Sequence, residues 1–150
     1  MSSRHKIRQQ ALQILFLWDV RQQPVEDAMA AYFGTLTSEE RQTQPPDDPF
    51  LPALVYGVTS QVGEIDRQIS KHAEHWRLER MPTVDRNVLR LAVYELTQTG
   101  IPAPVVIDEA LELARRFSNE ESVHFVNGVL DAIRRDLGIP EPTGPPVAPD

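Results

Sequence analysis

The sequence predicts an all-helical fold, about seven helices in two small packed bundles, and three observations predict it. Apolar residues recur at spacings of three and four along almost the whole chain. No segment shows the strict alternation of a half-buried strand. Prolines and glycines interrupt the periodic segments at short intervals, and short connections favour antiparallel helical neighbours.

The first helix is expected over about residues 4–22, where Ile7, Ala11, Ile14, Leu15 and Trp18 make one apolar stripe. Pro24 breaks it and opens a second helix, with Glu26 and Asp27 at its favourable N-terminal end. Ala28, Ala31, Tyr32 and Leu36 continue that period. Residues 37–49, rich in proline and aspartate, read as the longest loop and as the boundary between a first sub-bundle, about 4–36, and a second, about 50–138. Leu51, Leu54, Val55, Val58, Val62, Ile65 and Ile69 predict a single long helix over about 50–72. Gly57 and Gly63 inside it point to close packing of another helix. A short helical stretch near 73–80 precedes Pro82. A strong helix follows over about 83–99, with Val84, Val88, Leu89, Ala92, Val93 and Leu96 inward. Gly100 and Pro102 end it. Two more helices are expected, about 104–117 and 120–137, the last closed by Gly138. The whole of 1–138 reads as one domain, and the proline-rich tail 139–150 as disordered or extended.

Composition narrows the function classes. The chain has no cysteine, which excludes disulfides, thiolate zinc sites and a cysteine nucleophile. No apolar run approaches the roughly 20 residues that cross a bilayer, and Met-Ser-Ser-Arg-His-Lys does not open a signal peptide. The expectation is a cytoplasmic protein with no membrane partner. A net charge of −7 argues against wide, unselective binding to nucleic acid. The charge is uneven, however: Arg4, Lys6 and Arg8 begin the chain without an acid among them. Salt confines each charge to about 8–10 Å, so a basic spot on an acidic body still holds phosphate.

Catalytic and metal chemistry finds little support. His72 and His75 are three apart, but no third metal ligand follows them. Asp108, Glu109 and Glu112 are read as solvated acids favourably placed near a helix start. There is neither a glycine-rich phosphate loop nor a nucleophile turn. We therefore expect no enzyme, no cofactor and no metal site. Arg4 and Arg8, four apart, are neighbours on a helix, and their planar forks suit phosphate. A frayed, solvated terminus is the alternative. In the last helix Asn127 and Gly128 are poor helix formers, explained by an interhelical hydrogen bond and by close backbone approach. Phe125 is either core or a platform on which an unpaired RNA base stacks.

Four stretches together carry a family resemblance. They are the basic start followed by Ala11-Leu12-Gln13-Ile14-Leu15-Phe16-Leu17-Trp18, then 84–96 (VDRNVLRLAVYEL), 106–117 (VIDEALELARRF) and, most specific, Phe125-Val126-Asn127-Gly128-Val129-Leu130-Asp131. Together they resemble the NusB family of bacterial transcription antitermination factors over about residues 4–137. The resemblance implies two small helical bundles. It implies binding of the boxA element of ribosomal RNA leader transcripts together with NusE, a ribosomal protein that doubles as a transcription factor. The pair would act in the RNA polymerase antitermination complex and promote processive ribosomal RNA transcription. It also implies sites: RNA contacts at Arg4, His5, Lys6 and Arg8 and at Glu121, Ser122, His124 and Phe125, and a NusE face around Glu79, Asp85, Arg86 and Arg90. His124 stands where the family often has lysine, and with His5 this lowers the permanent positive charge. Two other readings stand beside it: the RNA-binding module of a ribosomal RNA methyltransferase, and a homodimeric protein-interaction domain.

Overall fold

A computed structural model describes residues 4–35 and 49–140. The expected loop, apart from Pro49, together with Leu36 and the tail beyond Pro140, lies outside them. Among the described residues every regular element is helical: α1 (Arg4–Arg21), α2 (Val25–Gly34), α3 (Phe50–Ser60), α4 (Val62–His72), a single 3-10 turn (Leu78–Arg80), α5 (Thr83–Gln98), α6 (Ala103–Phe117) and α7 (Glu120–Asp136).

Proline sets most of the starting points. Pro24, Pro49, Pro82 and Pro102 immediately precede α2, α3, α5 and α6. Each lends its carbonyl to the first turn, as in Ala28 N–H to Pro24 O at 3.2 Å and Arg86 N–H to Pro82 O at 3.0 Å. Two glycines set the ends. Gly100 and Gly138 both adopt φ +74°, the left-handed conformation that glycine reaches without strain.

The expected helix over 50–72 is two helices. It breaks at Gln61, where φ −116° and ψ 18° leave the helical region. Just before the break, Thr59 Oγ1 donates to Val55 O at 3.0 Å and Ser60 Oγ to Gly57 O at 3.2 Å, back-bonds of the kind that bend helices. The helical stretch expected at 73–80 shrinks to the 3-10 turn. Glu74, His75, Trp76 and Arg77 are all exposed, so this segment has no continuous apolar face to bury. The glycine reading splits as well. A Cβ at Gly57 would lie 2.2 Å from the Tyr94 ring, so α3 and α5 need that glycine, whereas Cβ atoms at Gly63 and Gly128 would meet open space. Asn127 is exposed and does not lie between helices.

One continuous core holds the helices together. α5 is its hub, packed against α1, α3, α4, α6 and α7, while α1 packs against α2, α3 and α5. Ile14 and Leu15 of α1, Leu54 of α3, Leu89 of α5 and Ile133 of α7 are sealed from solvent. Leu113 and Ala114 of α6 are buried beside them, while Asp108 and Glu112 face outward.

Inside this core lies an ion pair that periodicity did not indicate. Arg8 and Glu95 are 4% and 2% exposed, which makes water no substitute for either partner. Arg8 Nε and Nη2 donate to the two carboxylate oxygens of Glu95, both at 2.8 Å. Arg8 Nη1 donates to Glu109 Oε1 at 3.0 Å. Glu109, expected in solvent near a helix start, instead reaches across from the second turn of α6 to complete the site. Burial alone would lower the Arg8 pKa, but the hydrogen bonds and charges of Glu95 and Glu109 more than offset it and raise it above its ordinary value. α1, α5 and α6 are thereby fixed in mutual rotation at one point.

Removing one member of a buried pair strands the other charge. Arg8→Ala should lower unfolding free energy by about 3–5 kcal/mol in chemical denaturation. Gly57→Ala should cost about 1–3 kcal/mol in the same measurement, because Tyr94 must be displaced.

Candidate nucleic-acid and partner interface

α1 presents its first turn in two directions. Arg4, His5 and Lys6 are exposed, while Ile7 and Arg8 are buried. Arg4 and Arg8 are neighbours as their spacing requires, and both guanidinium groups lie over the Phe50 ring, 4.0 and 5.5 Å from its centroid. Cations over an aromatic face are attracted by its quadrupole. Arg8 is thus held within the protein, and its fork is occupied by Glu95 and Glu109. His5 Nδ1 lies 3.1 Å from Glu109 Oε2, and His5 Nε2 lies 2.9 Å from Gln9 Nε2. The exposed basic groups of this turn are therefore Arg4 and Lys6, with His5 leaning on an acid.

Lys6 lines a groove of about 740 Å³ that sequence reading did not foresee. Gln10, Gln13, Phe16, Arg21 and Arg116 share it, and among the described residues no acid lines it. Phe16 is exposed although aromatic, and it falls outside the apolar stripe of α1, which is the signal the sequence offered. Gln10 is buried and its Oε1 has no hydrogen-bond partner.

The second set of predicted residues sits on the first turns of α7. Asn119 caps this helix by accepting from Ser122 N–H at 2.9 Å. Glu121 and His124 are exposed. Ser122 is buried, with its Oγ donating to Asp85 Oδ2 at 2.8 Å and lying 2.7 Å from Ser118 Oγ. Phe125 is neither of the two alternatives in pure form. It is partly buried against the core, and its ring meets Trp76 edge to face, centroids 6.0 Å apart and planes at 64°. Trp76, half exposed, was not singled out by the sequence; its position in a polar segment leaves it without a periodic partner. The end of α6 lies between the two sets: Arg116 and Phe117 line the groove with Lys6, and the next residue, Ser118, contacts the buried Ser122.

The residues read as a partner face separate in the structure. Glu79 is exposed, beside a cleft that also includes Glu74, His75, Trp76 and Arg77. Asp85 is buried under Ser122, and its Oδ1 has no hydrogen-bond partner. Arg86 donates from Nε to Asp19 Oδ2 at 2.8 Å and from Nη1 to Leu78 O at 3.1 Å. Arg90 donates to both oxygens of Asp66 at 2.8 Å and lies 3.1 Å from Asp19. These two arginines join α1, α4 and α5 inside the fold. Among the described residues no group of three or more metal-ligating side chains converges, and His72 instead meets Asp136 Oδ2 at 3.1 Å. No helix among them is long and apolar enough to cross a membrane.

Comparison with known proteins sets this geometry in a family. The model of the NusB family matches residues 5–135. The transcription antitermination protein NusB of Solibacter usitatus (strain Ellin6076) is 64% identical over 146 residues, 97% of each chain. That of Bacillus subtilis (strain 168) is 40% identical over 135 residues, 89% of this chain and 96% of that one. Among solved structures, NusB of T. maritima superposes with a TM-score of 0.74 at 34% identity, covering 90% and 92% of the two chains. A chain from the crystal structure of the antitermination factors NusB and NusE in complex with double-stranded RNA gives 0.77 at 29% identity, covering 89% and 96%.

The cap of α7 supports the turns that carry Glu121, His124 and Phe125. Asn119→Ala should therefore cost about 1 kcal/mol in thermal unfolding, with faster amide exchange in the first turn of α7 than in its middle.

Proposed function

The chain belongs to the NusB family, and from that premise we propose that it is a transcription antitermination factor that binds boxA RNA together with NusE. It acts by binding and not by catalysis, as part of the RNA polymerase antitermination complex in the cytoplasm, and promotes processive ribosomal RNA transcription. The observation that carries this reading is the basic groove itself: Lys6, Arg21 and Arg116 line it together with Phe16 and Phe117. A basic groove that includes an exposed aromatic ring, that of Phe16, suits single-stranded RNA.

The roles follow from placement. Arg4 and Lys6 meet phosphate, and His5 adds a hydrogen-bonding edge. Arg8 acts from beneath, holding the first turn of α1 in place through Glu95. Phe125 offers a ring for a base to stack on, and His124 offers hydrogen bonds nearby. Glu121 is unsuited to phosphate but suited to an amino group on a base edge. Ser122 works from below by fixing the turn. NusE, a basic ribosomal protein, meets the acids near the 3-10 turn, Glu79 foremost, with Asp85, Arg86 and Arg90 supporting that face from within. Bound NusE widens the RNA surface and raises affinity. Homodimers that cover the RNA face are the form a light-scattering molar mass would reveal.

Fluorescence anisotropy with boxA RNA and a scrambled control, each with and without NusE at two salt concentrations, tests the reading. Selective binding strengthened by NusE is the expected result; equal affinity for both RNAs with NusE present would overturn it. Arg4→Ala and Lys6→Ala should each weaken both RNAs alike and reduce the salt slope by about one. Phe125→Ala should erase the preference for boxA, with a loss of about 1–3 kcal/mol.

A further inference from the structure

The α7 turns that carry the RNA contacts are tied to the partner-facing segment 76–81 and the start of α5 at two points, one aromatic and one polar. The aromatic tie is the edge-to-face contact of Trp76 with Phe125. The polar tie is the hydrogen bond from Ser122 Oγ to the buried carboxylate of Asp85. The core closes without Trp76: that ring is 52% exposed and stands outside the buried cluster, whereas Ser122 and Asp85 are buried.

The two ties also share a support. Arg86, next to Asp85, donates through Nη1 to Leu78 O, the first residue of the 3-10 turn. A displacement of this turn therefore reaches Arg86, and through the first turn of α5 it reaches Asp85 and Ser122. The same displacement moves Trp76 two residues upstream, and with it the face of Phe125. Around Trp76 the exposed charged groups are Glu74, Arg77, Glu79 and Arg80, and the two acids are the ones open to a basic protein, while His124 is exposed beside Phe125 on α7. One indole thus stands between the exposed 74–79 segment, with Glu79 at its end, and the Phe125 ring of α7.

We propose that Trp76 is a positioning residue that couples the two binding faces. A basic protein seated on the 74–79 segment fixes the indole, the indole fixes the Phe125 ring, and RNA then binds a surface already ordered. Asp85 and Ser122 hold the backbone of α7 at the correct height while this happens. Coupling of this kind is reciprocal, so bound RNA tightens the protein partner by the same factor. Its physical basis is the ordering of a pair of rings ahead of the second binding event, which lowers the entropic cost of that event. The inference rests on the functional reading above, because it needs both ligands.

The test is a thermodynamic cycle on the full chain, with boxA RNA and purified NusE as probes. RNA affinity is measured by anisotropy without NusE and at saturating NusE, and the ratio of the two dissociation constants is the coupling factor. Trp76→Ala should lower that factor severalfold, leaving the share that NusE adds through its own RNA contacts, while circular dichroism stays at its wild-type value. Trp76→Phe should restore most of it, because a smaller ring still reaches Phe125. Ser122→Ala should lower the factor too, through the polar tie. An unchanged coupling factor in Trp76→Ala would overturn the inference while leaving boxA recognition in place. A wild-type chain that shows no NusE-dependent gain and no preference for boxA would overturn the functional reading and this inference together.

Discussion

The fold turns on the buried charge of Arg8. Arg8 sits in the first helix, one turn from the exposed start of the chain, yet its guanidinium is enclosed and bidentate on Glu95 of the central helix. A third contact to Glu109 brings in α6. Buried ion pairs are poor sources of net stability, because desolvation consumes most of what their attraction returns. Their strength lies in what they forbid. Any rotation of α1 that would suit its apolar residues but misalign the fork leaves a charge stranded in the core. Ile7, Ala11, Ile14 and Leu15 are thus held in one register against α3 and α5, and Arg4 and Lys6 are held outward by the same constraint.

A second group of charges does comparable work at the other end of α1. Asp19 receives Arg86, Asn87 and Arg90 of α5, and Arg90 reaches on to Asp66 of α4. The guanidinium of Arg90 also lies over Trp18, 5.5 Å from the ring centroid. α1 is therefore clamped to the hub helix near both ends by charge and between them by aliphatic packing. Side chains that a motif comparison would place at a partner surface act here as the frame behind that surface. The 74–77 segment and Glu79 are exposed, and Arg86 holds the neighbouring 3-10 turn through Leu78 O.

The fold class was plainly legible, since the three-and-four spacing of Leu54, Val55, Val58 or of Val88, Leu89, Ala92 allows little else. The caps were legible too, at Gly100 and Gly138. What periodicity missed has local causes. Hydrophobic spacing runs unbroken through Gln61, so the pattern could not register a break made by hydroxyl back-bonds and a change of backbone angle. Arg8 looked like a surface cation because nothing in its neighbourhood of sequence names Glu95, far along the chain. Glu109 was misjudged for the same reason. The candidate site was legible in part: the basic start and the stretch around Phe125 stood out as residues, but the groove that brings Arg116 and Phe117 to Lys6 is a property of three dimensions. Trp76 was invisible because an aromatic residue in a polar segment has no period to belong to.

The placement of the two tryptophans has an optical consequence. Trp18 is partly enclosed, with a guanidinium over its face, whereas Trp76 stands half in water against a phenyl edge. Indole emission moves to longer wavelength as water reaches the ring, so the intrinsic fluorescence of this chain is a sum of two unlike emitters. The blue side reports on the clamp between α1 and α5, and the red side on the ring beside α7. The protein carries its own pair of spectroscopic labels, one on the framework and one at the surface, with no dye attached.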